Sequence, residues 1–178
     1  MAKFEDLLPF IEKWEGGFVN DPLDLGGATN RGVTIGTWKA VGYDIDGDGD
    51  IDEDDVRKIT REDMAECVLR PHFWNLCKAD RIKSQSIANI LVDWVWTSGL
   101  VAIKQVQTRL GVKADSIVGE KTLEAINSAQ QRGLFFDIKS LRVAYVENVC
   151  HQTPTNKRFL RGWLRRIEDI KWLPVLPD

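Results

Sequence analysis

The sequence is poor in the residues that most metal and nucleophile chemistry needs. It has only two histidines, His72 and His151, far apart in the chain and without the cluster that a zinc site or a histidine-activated nucleophile requires. Its three cysteines, Cys67, Cys77 and Cys150, form no Cys-x-x-Cys or zinc spacing. Free buried thiols are therefore expected, with a Cys67–Cys77 pair conceivable only in an oxidising compartment. No apolar run approaches the roughly 20 residues that cross a bilayer. The opening MAKFEDLLPFIEKWEGG places acids inside its apolar pattern, unlike a secretory leader, so a soluble chain without a signal peptide is expected. Low-complexity linkers and internal repeats are missing too. The net charge of −3 offers no argument for nucleic acid.

What is present is enough for a sizeable core. With 178 residues, 43% of them hydrophobic, one domain of two lobes is expected, residues 1–85 and 86–178. Phe4, Leu7, Leu8, Ile11 and Trp14 recur at helical spacing and predict an amphipathic helix that stops at Gly16-Gly17, where glycine can adopt a left-handed cap. Residues 18–37 turn to Gly, Asp, Asn, Pro and Thr with short β-prone pieces, which reads as tight turns and a small β-containing segment. A second helix is expected from about Thr37, and a third, capped by Thr60 with Asp63, is expected to run to Arg70 before Pro71 interrupts it. SQSIANILVDWVWTSG predicts a central buried helix, and four further helical segments follow. The fold class is mainly α, a helical bundle with a small β element.

Glu15 falls four residues after Ile11 and so borders the buried stripe. Partial desolvation of a carboxyl favours its protonated form, and such a group can donate a proton near neutrality. Asp24, Thr29 and Asn30 follow in the Gly-rich segment. An acid facing polar groups is the layout of glycoside hydrolysis, in which one group protonates the leaving oxygen and others position water or stabilise an oxocarbenium-like transition state. From spacing alone the alternative stays open that Glu15 is a solvated charge and Asp24 an Asx-turn residue.

WEGGFVNDPLDLGGATNRGVT closely resembles the signature of the family 108 glycoside hydrolases, lysozyme-like N-acetylmuramidases. HFWN, DWVWTSG and FLRGWLRRI resemble the family's later segments, so the likeness spans nearly the whole chain. The resemblance implies a lysozyme-like α+β fold and hydrolysis of the β-1,4 bond between N-acetylmuramic acid and N-acetylglucosamine in peptidoglycan. It implies Glu15 as catalytic acid, with Asp24 and Thr29 beside the scissile bond and Asn30, Asp93 and Thr97 toward the substrate. Thr97 stands where the family usually has Asn. IKQVQTRLGVKADSIVGEKTLEAI resembles the family's peptidoglycan-binding segment, with Ser116 replacing the usual Gly and Glu120 the usual Pro. A packed helical hairpin without a binding role is the alternative for that segment. Peptidoglycan is the implied partner, a monomer is expected, and an endolysin held in the cytoplasm until release or a wall-remodelling enzyme would both fit. A non-catalytic wall-binding protein that keeps the fold is the competing reading.

Residues 44–55, DIDGDGDIDEDD, hold eight acids and no base. They follow the EF-hand pattern, with Asp44, Asp46, Asp48, Asp50 (through its carbonyl), Asp52 and Asp55 at ligand positions and Gly49 at the sharp turn. Calcium is the expected cofactor, structural rather than catalytic. A solvated acidic hairpin is the alternative. Of seven tryptophans, Trp14, Trp163 and Trp172 read as core on helical faces, whereas Trp38 and Trp74, near loop boundaries, are the candidates for sugar platforms. Arg161, Arg165 and Arg166 read as the polar surface of the last helix.

Overall fold

A computed structural model describes residues 1–20 and 27–174. The chain divides into two compact units, Leu8–Trp74 and Met1–Leu7 with Asn75–Asp178.

In the unit Leu8–Trp74, helix α1 (Leu8–Trp14) buries Leu8 and Ile11 and leaves Trp14 half-buried, as the stripe predicts. Gly16 and Gly17 are not left-handed. The helix ends instead because the chain straightens to pair: Gly16 O accepts from Arg31 N at 3.2 Å, and Val19 forms an antiparallel bridge with Thr29. Strands β1 (Thr29–Asn30) and β2 (Val33–Thr34) are antiparallel, with Thr29 opposite Thr34 and Asn30 opposite Val33. Arg31 and Gly32 join them with φ of 50° and 77°, the positive values that primed two-residue hairpin turns use. This small sheet is the β element expected between residues 18 and 37.

Helix α2 (Ile35–Val41) begins two residues before the expected position, because the Thr34 hydroxyl caps it by accepting from Thr37 N at 3.2 Å. The acidic loop leads into α3 (Glu53–Lys58), opened by a reciprocal capping box between Asp52 and Asp55. Thr60 and Asp63 form the same device at α4 (Arg61–Asp63), as the sequence predicts. The helix then continues as a π-helix over Met64–Trp74, with Pro71 inside it. Pro71 therefore does not end the helix. The wider π winding relieves the clash between the proline ring and the preceding turn that an α-helix would force.

The other unit is helical: α5 (Gln85–Ser98), α6 (Val101–Leu110), α7 (Glu120–Ser128), α8 (Gln131–Gln152) and α9 (Lys157–Asp169). In α5 every residue from Ser86 to Val95 is buried, mostly apolar side chains with the polar Ser86, Asn89 and Asp93 among them, the pattern of a helix enclosed by others. It packs on α6 and α8, and α9 lies against α8. Each large side chain so enclosed contributes about 1.5–3 kcal/mol. Helix α9 stops at Asp169, so Trp172 lies beyond it and meets Phe135 edge-on with ring centres 5.8 Å apart. The turn before α7 keeps a left-handed residue, Ser116 with φ of 65°, although the glycine expected there is replaced. Gln107 holds that turn, its amide nitrogen donating to Ile117 O and Asp115 and its oxygen accepting from Ser116 N. Glu120 takes a forked contact from Arg81 at 2.6 and 2.7 Å.

All three cysteines are free. Burial pushes the Cys77 thiol up to about 12, so it is inert. Among the described residues no helix is long and apolar enough to cross a membrane.

Candidate active site

Glu15 sits just past the last turn of α1, its N–H held by Ile11 O at 3.0 Å, and is half-buried. Among the described residues, a methyl added at Gly16 or Gly17, the two glycines after it, would meet no heavy atom within 4 Å. The carboxylate-bearing residue is thus followed by a stretch of narrow, accessible backbone. Behind α1, Glu12 pairs with Arg61 Nε at 2.5 Å, linking the helix to α4. Thr29, half-buried on β1, donates through its hydroxyl to Gly27 O at 3.3 Å. Asp24 lies outside the described residues.

Asn30 belongs to the scaffold of this segment and not to a substrate surface. It is 6% exposed, and its amide donates to Val56 O at 3.0 Å and Arg57 O at 3.1 Å, with Ile59 O at 3.5 Å. It thereby occupies the carbonyl end of α3. Arg31, which the sequence reading passed over, joins in: Nε donates to Ile59 O at 3.2 Å while its backbone N holds Gly16 O. The Arg57 guanidinium covers the Phe18 ring at 3.9 Å, and Asn20 donates to Glu53 at 2.5 Å. Helix α3 therefore braces the backbone from Gly16 to Asn20 from several directions.

The acidic loop begins the same chain of contacts. Carboxylate oxygens of Asp44, Asp46 and Asp48 lie within 4.8 Å of one another, as do those of Asp48, Asp50 and Asp52. Crowding by like charge, Asp48 foremost, raises the Asp50 carboxyl above its ordinary range. Asp44 accepts from Gly47 N and Gly49 N, both glycines having positive φ. Lys58 reaches back to Asp46 at 2.7 Å. Asp55 stands outside both groups. It is fully buried, and its oxygens accept from the backbone of Ile45, Asp46 and Asp52. Burial works to raise its carboxyl, yet these backbone donors prevail and hold it below the usual range. The acids thus form two carboxylate groups that share Asp48, while Asp55 ties the two ends of the loop together.

Four further sequence assignments are corrected by burial. Trp38 is 0% exposed and donates its indole N–H to Tyr43 O at 3.0 Å, and Trp74 is 2% exposed, so neither offers a face to a sugar. Asp93 is also fully buried, accepting from Arg166 Nε at 3.0 Å and Nη2 at 2.7 Å and lying 2.5 Å from Arg142 Nη1. Arg166 accordingly is not a surface residue of α9. A periodicity argument places it by its charge, whereas its buried partner lies on α5. Thr97 is exposed at the end of α5, and its hydroxyl accepts from Arg142 Nη2 at 3.1 Å.

Residues 8–99 match the glycosyl hydrolase 108 family. The chain belongs to that family. Residues 101–168 match a second family, described as "Predicted Peptidoglycan domain". A solved structure, "Structure of Brucella abortus SagA", is similar at 27% identity with a TM-score of 0.77, covering 94% of this chain and 90% of that one. No curated protein sequence matches the chain significantly. The two family matches support a glycoside hydrolase acting on peptidoglycan. The mainly helical lysozyme-like fold agrees with the structural similarity.

Proposed function

We propose that the protein hydrolyses the β-1,4 bond between N-acetylmuramic acid and N-acetylglucosamine, with Glu15 as general acid. The observation that carries this reading is the half-buried Glu15 directly before two exposed glycines that, among the described residues, have no neighbouring atom where a side chain would stand, which leaves room for a polymer to pass the carboxyl. In the proposed reaction Glu15 protonates the leaving glycosidic oxygen as the C–O bond breaks. Positive charge develops on the sugar ring, and water adds to the anomeric carbon. Asp24 is proposed to stabilise that charge or orient the water, with Thr29 assisting at the hairpin. The test is lysis of purified peptidoglycan by the parent and by Glu15→Gln, which keeps the side chain's size but cannot donate the proton. Loss of lysis with an unchanged circular dichroism spectrum is expected; lysis near the parent rate would remove Glu15 from the mechanism.

Calcium is proposed as a structural ligand of the loop, held by Asp44, Asp46, Asp48, Asp52 and the Asp50 carbonyl. Bound there it would supply only charge neutralisation. The protein's own contribution is the path from the loop through α3 to Asn30 and Arg31, which braces the backbone beside Glu15.

A further inference from the structure

Helix α9 presents four exposed cations, Lys157, Arg158, Arg161 and Arg165, and residues 157–167 contain no acid. Taking the wall as substrate, as proposed above, we infer that this face anchors the protein to peptidoglycan through the free carboxylates of the stem peptides, so that walls with amidated stems are poor substrates.

Charge is the first argument. The whole chain carries −3, yet residues 101–168 hold twelve bases against six acids. Exposed arginines elsewhere meet carboxylates, Arg61 that of Glu12, Arg81 that of Glu120 and Arg109 that of Asp137. On α9, among the described residues, Lys157, Arg161 and Arg165 pair with no carboxylate, and Arg158 lies over the Phe159 ring at 4.6 Å. Glu168, at the end of the row, is answered by Lys139 at 3.6 Å and Lys171 at 3.8 Å. The four cations are therefore left for an external polyanion.

The helix is also built against its own dipole. Lys157 and Arg158 open it without an acid in the first turn, Asn156 gives no side-chain cap, and Glu168 and Asp169 close it. Anions favour the N-terminus of a helix and cations its C-terminus, so this order works against folding. A local rule broken on an exposed face, where acids would fit, is expected where the face serves a ligand.

Geometry narrows the ligand. Lys157, Arg161 and Arg165 recur every fourth residue and form one row with steps of about 6 Å along the helix axis. With Leu160, Leu164 and Glu168 they line a shallow depression of about 480 Å3. A row of this kind suits an extended polymer with repeated anions rather than one small ion. The second family match, residues 101–168, contains all four cations, and the anions of peptidoglycan itself are its stem-peptide carboxylates. Guanidiniums bind such groups in forked, charge-assisted pairs.

Cosedimentation of the full chain with purified sacculi, in the cold and before lysis, tests the inference. One portion of the sacculi has its carboxylates converted to amides with carbodiimide and ammonia. The parent should bind native sacculi about tenfold or more tighter than amidated ones, and added salt should weaken that binding. Lys157→Glu, Arg161→Glu and Arg165→Glu together should lower binding to native sacculi about tenfold or more. The melting temperature of that variant should hold or rise, because an acid enters the first turn of α9. The milder Lys157→Gln, Arg161→Gln, Arg165→Gln variant should fall between the two, a readout that does not depend on the reversed variant folding. Lys104→Glu, Lys121→Glu and Arg132→Glu together make the same change in net charge at exposed positions of α6, α7 and α8, and should bind as the parent does. Equal binding of native and amidated sacculi, parent-like binding by the reversed α9 variant, or an equal loss in the second triple variant would each overturn the inference. Tighter binding to phosphatidylglycerol vesicles than to sacculi would overturn it too, giving the face to a membrane. A parent that binds native sacculi through α9 but releases no fragments would break the Glu15 reading alone. Lysis that Glu15→Gln abolishes, with binding indifferent to amidation and to the α9 substitutions, would break the anchor alone.

Discussion

Replacing Asn30 is the sharpest probe of how the helix beyond the acidic loop supports Glu15. The side chain is 6% exposed and donates to Val56 O at 3.0 Å and Arg57 O at 3.1 Å, closing the C-terminus of α3. Asn30→Ala loses two bonds worth about 1 kcal/mol each and leaves buried carbonyls unpaired, so a loss of about 2–3 kcal/mol is expected. Asn30→Asp also puts an anion against the negative end of a helix dipole, adding about 1 kcal/mol. For a chain of this size each kcal/mol moves the melting temperature by about 2–4 °C, so the alanine variant should melt about 5–10 °C lower and the aspartate variant lower still. Thermal unfolding followed by circular dichroism measures both. Lysis at a temperature where both variants are folded should fall as well, since Arg31 N and Gly16 O share the braced backbone. An aspartate variant at least as stable as the alanine variant would refute the donor role and with it the brace.

Ser116→Gly should raise the melting temperature by about 1–2 °C, because a non-glycine residue at φ of 65° is strained by about 1 kcal/mol or more and glycine's greater unfolded-state freedom offsets only part of that; a fall would show that the serine side chain contributes something the backbone does not explain. Gly17→Ala should leave stability within about 0.5 kcal/mol, the added methyl meeting no atom of the described residues within 4 Å, but should slow lysis severalfold if glycan passes over this backbone; an unchanged rate would place the substrate elsewhere. Calcium at a hundredfold excess over its dissociation constant should stabilise the protein by about 2.7 kcal/mol, read as a higher melting temperature than in chelator. The Asp44→Ala, Asp48→Ala double variant should lose that response, and coincident parent curves with and without calcium would exclude the proposed ligand.

The helices were legible because apolar residues recur at helical spacing, and the cap at Thr60 because a short polar side chain there has backbone donors within local reach; the cap at Asp52 was read only as a loop ligand. The β-hairpin was legible from its turn chemistry. What escaped the sequence was long-range partnership. Nothing within a few residues of Asn30 reveals that its amide meets the end of a helix 26 positions on, and nothing near Arg166 reveals a carboxylate 73 positions away. Tryptophans near loop boundaries gave the same difficulty, since Trp38 is drawn inward by an indole hydrogen bond to Tyr43 that local pattern does not encode. Pro71 was misread because the expectation assumed α winding. The end of α1 was misread because pairing of Gly16 and Val19 with the hairpin, rather than a left-handed glycine, sets where the helix stops.

The central claim concerns one bond and one carboxyl. Mass analysis of the soluble fragments released from purified peptidoglycan tests it most directly, run on the parent and on Glu15→Gln at equal folded concentration. The account predicts fragments ending in reducing N-acetylmuramic acid from the parent and none above background from the variant. Reducing N-acetylglucosamine ends, anhydro-muramic ends, or the same fragments at the same yield from Glu15→Gln would contradict it.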